Sequence, residues 1–281
     1  MTLGRESMPW SPDLWSRLDQ AVRDEVRRTA VATSFLPVVD GAATATTVPA
    51  DRIDTSTMTV DPAAVVPVVE LSLGFGLTQQ QADDESALGT GLTLATRAAN
   101  LIAQVEDLLI FQGDRSALPG PLAGVQVRGT AGAGLLASAP AELDVTPTSE
   151  SPLTFGEHTF NAVVQAIALL RAAGQAGPYA LALSSAVYAD TFVPIAGTTV
   201  LPADQIRPLV SRGLVDTGGL PAGRGLIASL GGNTIDLVIT VEPASAFVQV
   251  DEQGIYQFRV FERWALRVKD PGALVRLIFK G

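Results

Sequence analysis

One long helical pattern, over residues 88–112, sets the scale of the fold. The apolar residues of its predicted buried face are Leu94, Ala98, Leu101, Val105 and Leu108. They recur at the three- and four-residue steps of one helix face. The helix would span about 33 Å at about 1.5 Å per residue, and Gly113 is a natural stop at its end. In a chain that also contains strands, we expect it to act as a spine along which sheets are laid.

The order of patterns along the chain predicts an α+β fold. Helices are predicted at 11–31, 88–112, 156–173 and 186–192, and a strand is predicted at 179–184. The final third is strand-rich, with strands predicted at 225–230, 235–241, 246–250, 255–262, 264–269 and 274–280. This order favours α+β over a doubly wound α/β sheet, in which strands and helices alternate throughout.

Residues 40–70 differ in character from both halves. Gly, Ala, Thr, Asp and Pro dominate, and Pro49, Pro62 and Pro67 prevent a helix. The stretch Thr55–Val60 is predicted as a strand from its β-branched residues. An extended arm or a two-stranded loop fits this stretch better than a core element.

The N-terminal helix has one apolar stripe and one highly charged face. Ser11 can cap it, and Pro12 suits its first position. The stripe consists of Leu14, Leu18, Val22 and Val26, with Trp15 beside it. Such a stripe needs an apolar partner, which is either the core of the same subunit or another chain.

The surface is thinly charged for a single subunit in water. Charged residues make up 17% and apolar residues 47% of the 281 residues, against roughly 25% charged in a typical soluble domain. Protein–protein contact is the leading explanation. The net charge of −10 argues against a nucleic-acid partner. No long apolar segment or signal-peptide pattern is present, so we expect no membrane contact and a cytoplasmic location.

Residue types that usually act in catalysis or bind metals are scarce. The chain has no cysteine and one histidine, His158, which excludes disulfides, thiolate catalysis and multi-histidine metal sites within one chain. No phosphate-binding loop or Gly-x-Ser-x-Gly motif occurs. We therefore predict no catalytic residue, no metal site and no cofactor, and we expect the protein not to be an enzyme.

A serine pair and two clusters of acidic residues are the features to weigh for an enzyme site. Ser184 and Ser185 follow a strand, and could act as a nucleophile with His158 or simply cap the next helix. The acidic run at 83–85 is predicted to be a solvated start of the long helix, where negative charge suits the helix dipole. Glu106 and Asp107 are adjacent on a helix, so they point about 100° apart and should not converge on one substrate.

Several segments together resemble encapsulin shell proteins, the family 1 encapsulins of the linocin-type bacteriocin family. The residues that carry the resemblance are Pro12-Asp-Leu-Trp15, Leu109-Ile-Phe-Gln-Gly113 with Glu106-Asp107 before it, Gly177-Pro178-Tyr179 with Ser184, Tyr188, Phe258-Arg-Val-Phe-Glu262 and Leu266-Arg-Val-Lys-Asp-Pro271. They occur in the family's order across nearly the whole chain. The segment Val38-Val39-Asp40-Gly41 departs from the family's usual Gly-Pro after the first helix.

The resemblance implies an HK97-like major capsid fold and a non-enzymatic subunit of an icosahedral bacterial shell. It implies an N-terminal arm and helix at 1–44, an extended loop at 45–70 and a peripheral domain with the spine helix at 71–176. It further implies an axial domain at 177–230 and C-terminal strands at 231–281 that return to the peripheral domain. No bound flavin is expected, because Gln79-Gln80-Gln81 lacks an aromatic residue.

The resemblance also implies partners and sites. Family members enclose a ferritin-like protein or a dye-decolorising peroxidase, docked through a C-terminal targeting peptide near the N-terminal helix. The residues we predict to bind this peptide are Leu14, Trp15, Leu18, Val22 and Val26. The residues we predict to line the five-fold pore are Pro194, Ile195, Ala196, Gly197, Thr198 and Thr199.

Two alternatives stay open at this point. One is a phage or prophage major capsid protein of the same fold, which would enclose DNA. The other is a small soluble enzyme with a serine or carboxylate site, which would form a discrete small oligomer and carry an apolar pocket with perturbed titratable groups.

Overall fold

The computed structural model describes residues 3–115, 117–148 and 154–280. In these ranges the helices are α1 (Pro12–Thr29), α2 (Ala32–Phe35), α3 (Gln79–Asp83), α4 (Glu85–Leu88), α5 (Thr90–Gln112), α6 (Gly134–Ser138), α7 (Glu157–Ala172), α8 (Ser185–Asp190) and α9 (Pro202–Ile206). The strands are β1 (Val38–Asp40), β2 (Thr47–Pro49), β3 (Ile53–Asp54), β4 (Thr59–Val60), β5 (Val65–Pro67), β6 (Val69–Leu77), β7 (Gln126–Arg128), β8 (Ala141–Val145), β9 (Tyr179–Leu183), β10 (Leu214–Asp216), β11 (Arg224–Ser229), β12 (Ile235–Val250), β13 (Tyr256–Val268) and β14 (Leu274–Phe279). The mixture of helices and sheets confirms the predicted α+β class.

The spine helix α5 is present, but its buried face is wider than its spacing predicted. Ile102, Val105 and Leu109 are buried against the first sheet, whereas the predicted core residue Leu94 is exposed. The start of the helix also differs from the prediction of a solvated acidic run. Glu85 is buried, and its carboxylate accepts hydrogen bonds from the backbone N–H groups of Gly91 at 2.6 Å and Leu92 at 2.8 Å. It therefore satisfies two of the free donors at the helix N-terminus.

The first sheet has the strand order β1-β12-β13-β6-β7. Its long central pair, β12 and β13, was predicted as four separate strands. Register shifts along β12, between Ile239 and Val241 and again before Ala244 and after Phe247, bend the pair without ending it. Such bulges interrupt the two-residue alternation on which the prediction depended, so two bent strands resembled four short ones.

The arm at residues 45–70 is a pair of short two-stranded ladders. β2 pairs with β5, and β3 pairs with β4 farther out. The predicted strand Thr55–Val60 is wrong over residues 55–58, which form a turn. The Asp54 carboxylate organises this turn by accepting a hydrogen bond from the Ser56 backbone at 2.9 Å, the usual behaviour of an Asx turn. Met58 lies at the exposed tip of the arm.

The second sheet has the order β10-β9-β11-β14-β8, with its own hydrophobic core beneath α7. β14 lies inside this sheet, antiparallel to β11 and parallel to β8. β8 belongs to the predicted peripheral domain, 71–176, and β11 to the predicted axial domain, 177–230, so β14 contacts both. Val275, Leu277 and Phe279 bury their side chains in the core of this second sheet. The predicted domain boundaries stay predictions.

Candidate docking groove and pore loop

A groove of about 390 Å³ lies between α1, the corner that leads into α2, and the edge of the first sheet. Four side chains form its apolar walls: Val26, Val38, Ile239 and Pro243. β1 positions Val38 because it pairs in parallel with β12, in register from Val38 with Leu237 onward. Since β1 is the edge strand of the sheet, Val38 remains half exposed. This combination leaves an open apolar surface beside the first helix.

The predicted docking stripe on α1 packs against the subunit's own core. Trp15, Leu18, Val22 and Val26 are all buried, and Leu14 is half-buried. The Trp15 ring lies 4.9 Å from that of Trp10 and 6.2 Å from that of Phe258. A docked peptide could not reach Trp15, Leu18 or Val22, so the prediction is corrected for them. Val26, at the C-terminal end of the stripe, is the predicted residue that lines the groove.

Asp107 fixes the corner between α1 and α2 that closes one side of the groove. Its carboxylate accepts hydrogen bonds from the backbone N–H groups of Val31, at 2.8 Å, and Ala32, at 2.8 Å. Burial raises the pKa of Asp107 to about 6, against the lowering effect of these two hydrogen bonds. The corner holds Thr33 and Ser34, whose side chains line the groove. The spine helix thus sets the shape of the groove through one carboxylate.

Two further carboxyl groups, those of Glu106 and Glu262, form the floor of the groove. They belong to α5 and β13, and their residues are 1% and 3% exposed. Burial, the largest cause, and the charge of Asp107 raise the pKa of Glu262 to about 8. Burial and the neighbouring charges of Glu262 and Asp107 raise the pKa of Glu106 well above its ordinary value. The sequence predicted that Glu106 and Asp107 point apart. The Asp107 carboxylate bonds to the corner between α1 and α2, whereas Glu106 lies near Glu262 of β13, and the charges of all three influence one another.

The charged rim of the groove comes from α1 and β12. Arg23 and Arg27 lie on the helix side and Glu242 on the strand side. Arg27 Nη2 lies 3.7 Å from Glu242 Oε1, and both side chains are more than half exposed. An exposed pair of this kind contributes little to stability, so it can rearrange around an occupant at small cost.

The predicted pore residues lie on a loop between α8 and α9. Its turn is closed by the Ile195 N–H donating to Val200 O and the Thr198 N–H donating to Ile195 O, both at 2.9 Å. Pro194, Ala196, Gly197, Thr198 and Thr199 are exposed, and Ile195 is half-buried. Beneath the loop, the Arg207 guanidinium lies 5.2 Å from the centre of the Phe192 ring. The loop therefore projects from a fixed base, and its place at a pore stays a prediction.

Comparison with known proteins decides the family. A protein-family model described as "Encapsulating protein for peroxidase" matches residues 1–265. The chain belongs to this encapsulating-protein family. Its members form protein shells, so this chain is a shell-forming encapsulin subunit.

Individual relatives agree with this assignment. The encapsulin subunit is 29% identical to the type 1 encapsulin shell protein EncA of Myxococcus xanthus (strain DK1622) over 301 residues, which cover 98% of this chain and 96% of EncA. Its fold is similar to the virus-like particle of Pyrococcus furiosus, with a TM-score of 0.71 at 19% identity over 94% of this chain and 98% of that one. It is also similar to the capsid of Myoviridae Phage XM1, with a TM-score of 0.60 at 12% identity over 89% and 91% of the two chains. The predicted HK97-like fold is confirmed.

In the described residues, no hydrogen bond joins the Ser184 hydroxyl to His158, the pair that the sequence left open as a serine site. Ser184 occupies the N-cap position of α8, but its hydroxyl is buried and has no hydrogen-bond partner in the described part of the chain. His158 is exposed at the start of α7, and its Nδ1 lies 2.8 Å from Thr146 O. Within residues 3–115, 117–148 and 154–280, no cluster of three metal-ligating side chains occurs. In the same ranges, no helix is both long and apolar enough to cross a bilayer.

Sequence reasoning missed most of the groove. Thr33, Ser34, Val38, Ile239 and Glu262 come from four separate stretches of chain. A signal existed for one of them, because Glu262 is an acidic residue between the aromatic residues Phe261 and Trp264 of a buried strand. A charge that is buried in an apolar strand is rare unless it is paired or functional.

Proposed function

We propose that this encapsulin subunit builds a closed icosahedral compartment in the cytoplasm and that the groove beside α1 docks a C-terminal peptide of an enclosed cargo protein. The observation that carries the proposal is the open groove itself, whose exposed surface is mainly apolar in a chain of a shell-forming family. Its volume lies within the roughly 300–1,000 Å³ of typical ligand sites. Val38 and Ile239 would meet the apolar side chains of the peptide.

An extended peptide suits this groove better than a folded surface does. β1 is an edge strand of three residues, so its outer backbone groups are available for strand addition. Recognition of extended peptides by strand edges combines backbone hydrogen bonds with pockets for alternate side chains. The family description supports a peroxidase as the cargo, and a ferritin-like protein is the other class that the sequence resemblance implies.

A pair of matched substitutions tests the docking proposal. Val38→Asp places a charge in the groove, and Val164→Asp places one at a comparably exposed valine of α7, outside it; the two are 50% and 43% exposed. Shells would be purified from the native host, and co-purifying proteins identified by mass spectrometry. We expect V38D shells of unchanged size with at least about tenfold less cargo, and V164D shells with full cargo. Equal cargo in both variants would show that docking occurs elsewhere.

The loop at residues 194–199 is proposed to line a pore at the five-fold axis. Its exposed small residues, Ala196, Gly197 and Thr198 among them, would allow subunits to approach an axis closely. A reconstruction of the purified shell tests this proposal directly. A five-fold axis lined by another segment would refute it.

A phage or prophage capsid remains the second candidate because capsids of phages share the fold, as the XM1 likeness illustrates. The net charge of −10 favours a protein cargo, since enclosed DNA would meet like charge. The ratio of absorbance at nucleic-acid and protein wavelengths in nuclease-treated particles separates the two. A spectrum dominated by nucleic acid would favour the capsid.

A further inference from the structure

Two buried carboxyl oxygens at the floor of the groove, Glu106 Oε2 and Glu262 Oε1, make no well-formed hydrogen bond in the described part of the chain. The Trp264 indole N–H lies near enough to lower the pKa of Glu262, but it too is left without a well-formed hydrogen bond. Buried polar atoms normally find a hydrogen bond, because an unsatisfied one loses its hydration without replacement. The neighbouring Asp107 follows that rule, with both oxygens bonded to backbone N–H groups. The Glu106–Glu262 pair is therefore an exception that faces a cavity.

We propose that Glu106 and Glu262 form a cation site at the floor of the docking groove, which accepts one guanidinium or ammonium group of the docked chain. Two carboxylates on different elements offer several acceptor positions and no donor once they are ionised. A guanidinium group supplies a planar set of N–H donors that pairs well with carboxylates, and it gives up its hydration more readily than an ammonium group.

The walls of the groove suit the stem of a basic side chain. Val26, Val38 and Ile239 line the space above the two carboxyl groups. Arginine and lysine commonly bury their methylene stems against apolar surface while the charged group reaches a polar partner. A divalent metal fits less well, because no third acidic, histidine or cysteine side chain joins the pair in the described ranges.

The cations of the subunit itself do not occupy this site. Arg23 and Arg27 of α1 stand at the rim, and Arg27 is directed at Glu242 of β12. Within the described part of the chain, no ion pair joins Glu106 or Glu262 to a basic side chain at 4.0 Å or less. In this proposal the positive group at the floor therefore comes from outside the described subunit.

Proton release should accompany binding of the cation. The pKa of Glu262 is about 8, so in the empty groove this carboxyl group is largely protonated at neutral pH, and burial with the neighbouring charges raises the pKa of Glu106 in the same direction. The charged groups that face them are Asp107 on α5, Arg23 and Arg27 on α1 and Glu242 on β12. A bound cation stabilises the ionised form, so affinity for the cation should rise as the pH rises toward 8.

The identity of the occupant rests on the proposed docking function, but the site can be tested without a peptide. The probe is n-butylguanidinium, and its neutral counterpart is n-butylurea. Infrared difference spectra of the assembled shell at pH 7 report the C=O stretch of protonated carboxyl groups. We expect n-butylguanidinium, and not n-butylurea, to remove a band that Glu106→Gln and Glu262→Gln also remove. An unchanged band, or an equal response to both compounds, overturns the cation site.

Affinity measurements then place the cation. Glu106→Gln and Glu262→Gln should weaken n-butylguanidinium binding at least about tenfold, as expected for loss of a hydrogen bond to a charged group. Glu242→Gln, at the rim, should leave it unchanged, and an effect confined to that variant would overturn the floor site. If the probe binds the floor while V38D shells retain full cargo, the docking proposal fails and the cation site stands. If V38D shells lose cargo and the probe does not bind, the docking proposal stands and the cation site fails.

Discussion

Lys269 Nζ lies 2.7 Å from Asp236 Oδ2, and both side chains are almost fully buried, with exposures of 4% and 0%. Arg267 also contacts Asp236, at 2.7 Å, so removing the Lys269 ammonium group leaves Asp236 with one charged partner. A hydrogen bond to a charged group contributes about 1.5–3 kcal/mol, and we expect Lys269→Met to lower the free energy of unfolding by about that amount in urea titration. Lys280→Met is the matched control, because the pair of Lys280 with Asp144 is exposed and should contribute about 0–1 kcal/mol. Equal losses in the two variants would contradict the prediction.

The same aspartate links the arm to the first sheet. Arg267 donates two hydrogen bonds of 2.7 Å to Asp236 and also contacts Asp51 at the base of the arm. The Ile53 N–H donates to Lys269 O at 2.9 Å, so two contacts place the base of the arm at the C-terminal end of β13. If the arm contacts neighbouring subunits, its anchoring should affect assembly more than folding.

Asp51→Asn tests this linkage, because asparagine also tolerates the positive φ of 50° at this position. The Asp51 side chain is 42% exposed, so neutralising it should change the unfolding free energy of the subunit by less than about 1 kcal/mol. We expect a several-fold smaller assembled fraction by light scattering at limiting subunit concentration. Asp61→Asn is the control, since Asp61 lies in the same arm and its carboxylate accepts a hydrogen bond from the Ala63 backbone N–H within the arm, at 2.9 Å. Equal assembly of both variants would show that the contact between Asp51 and Arg267 is not needed for shell formation.

The first helix and the spine helix were predictable because local chemistry marks them. The Leu14 N–H donates to Ser11 Oγ at 3.2 Å, which is the cap that Ser11-Pro12 predicted. The helical spacing also placed Trp15 and Leu18 on the face of α1 that is buried in the structure. What covers them was not predictable, because a helical period gives the buried face and not the identity of its partner. The stripe packs on its own subunit.

The groove was not predictable because it depends on long-range pairing. Val38 reaches Ile239 through the parallel pairing of β1 with β12, and Glu106 reaches Glu262 through packing of the spine helix on β13. No local pattern encodes either contact. The continuous strand through Pro243 was missed for a related reason, since the bulges that admit a proline also disrupt the alternation.

The buried floor of the groove predicts an unusual pH dependence of stability. The pKa of Glu262 is about 8 in the folded subunit against an ordinary value of 4.5. Below about pH 4.5 Glu262 is protonated in both the folded and the unfolded chain. Between about pH 4.5 and 8 the unfolded chain releases this proton more readily than the folded one, so the free energy of unfolding falls as the pH rises. The subunit should therefore lose stability between these limits on account of this group.

Glu262→Gln removes that dependence. We expect the variant to melt at a higher temperature than the parent at pH 8.5, with the difference shrinking toward pH 5. Glu252→Gln is the control, because Glu252 is exposed in the turn between β12 and β13. Calorimetry of both variants at the two pH values measures the effect. A melting difference that does not change with pH would mean that Glu262 does not titrate in this range.

Two glycines with nearly equal positive φ values separate backbone strain from close packing near the end of the spine helix. Gly113 and Gly132 have φ values of 74° and 72°, so alanine at either position is expected to cost about 1–3 kcal/mol in backbone strain. A Cβ at Gly113 would lie 2.3 Å from Gly132 O and 2.4 Å from the Ala133 carbonyl carbon, whereas a Cβ at Gly132 would meet no heavy atom within 4 Å. Gly113→Ala should therefore lower the unfolding free energy by more than about 4 kcal/mol, and Gly132→Ala only by the strain. Urea titration of the two variants measures both, and similar losses would mean that the segment after Gly113 can move aside.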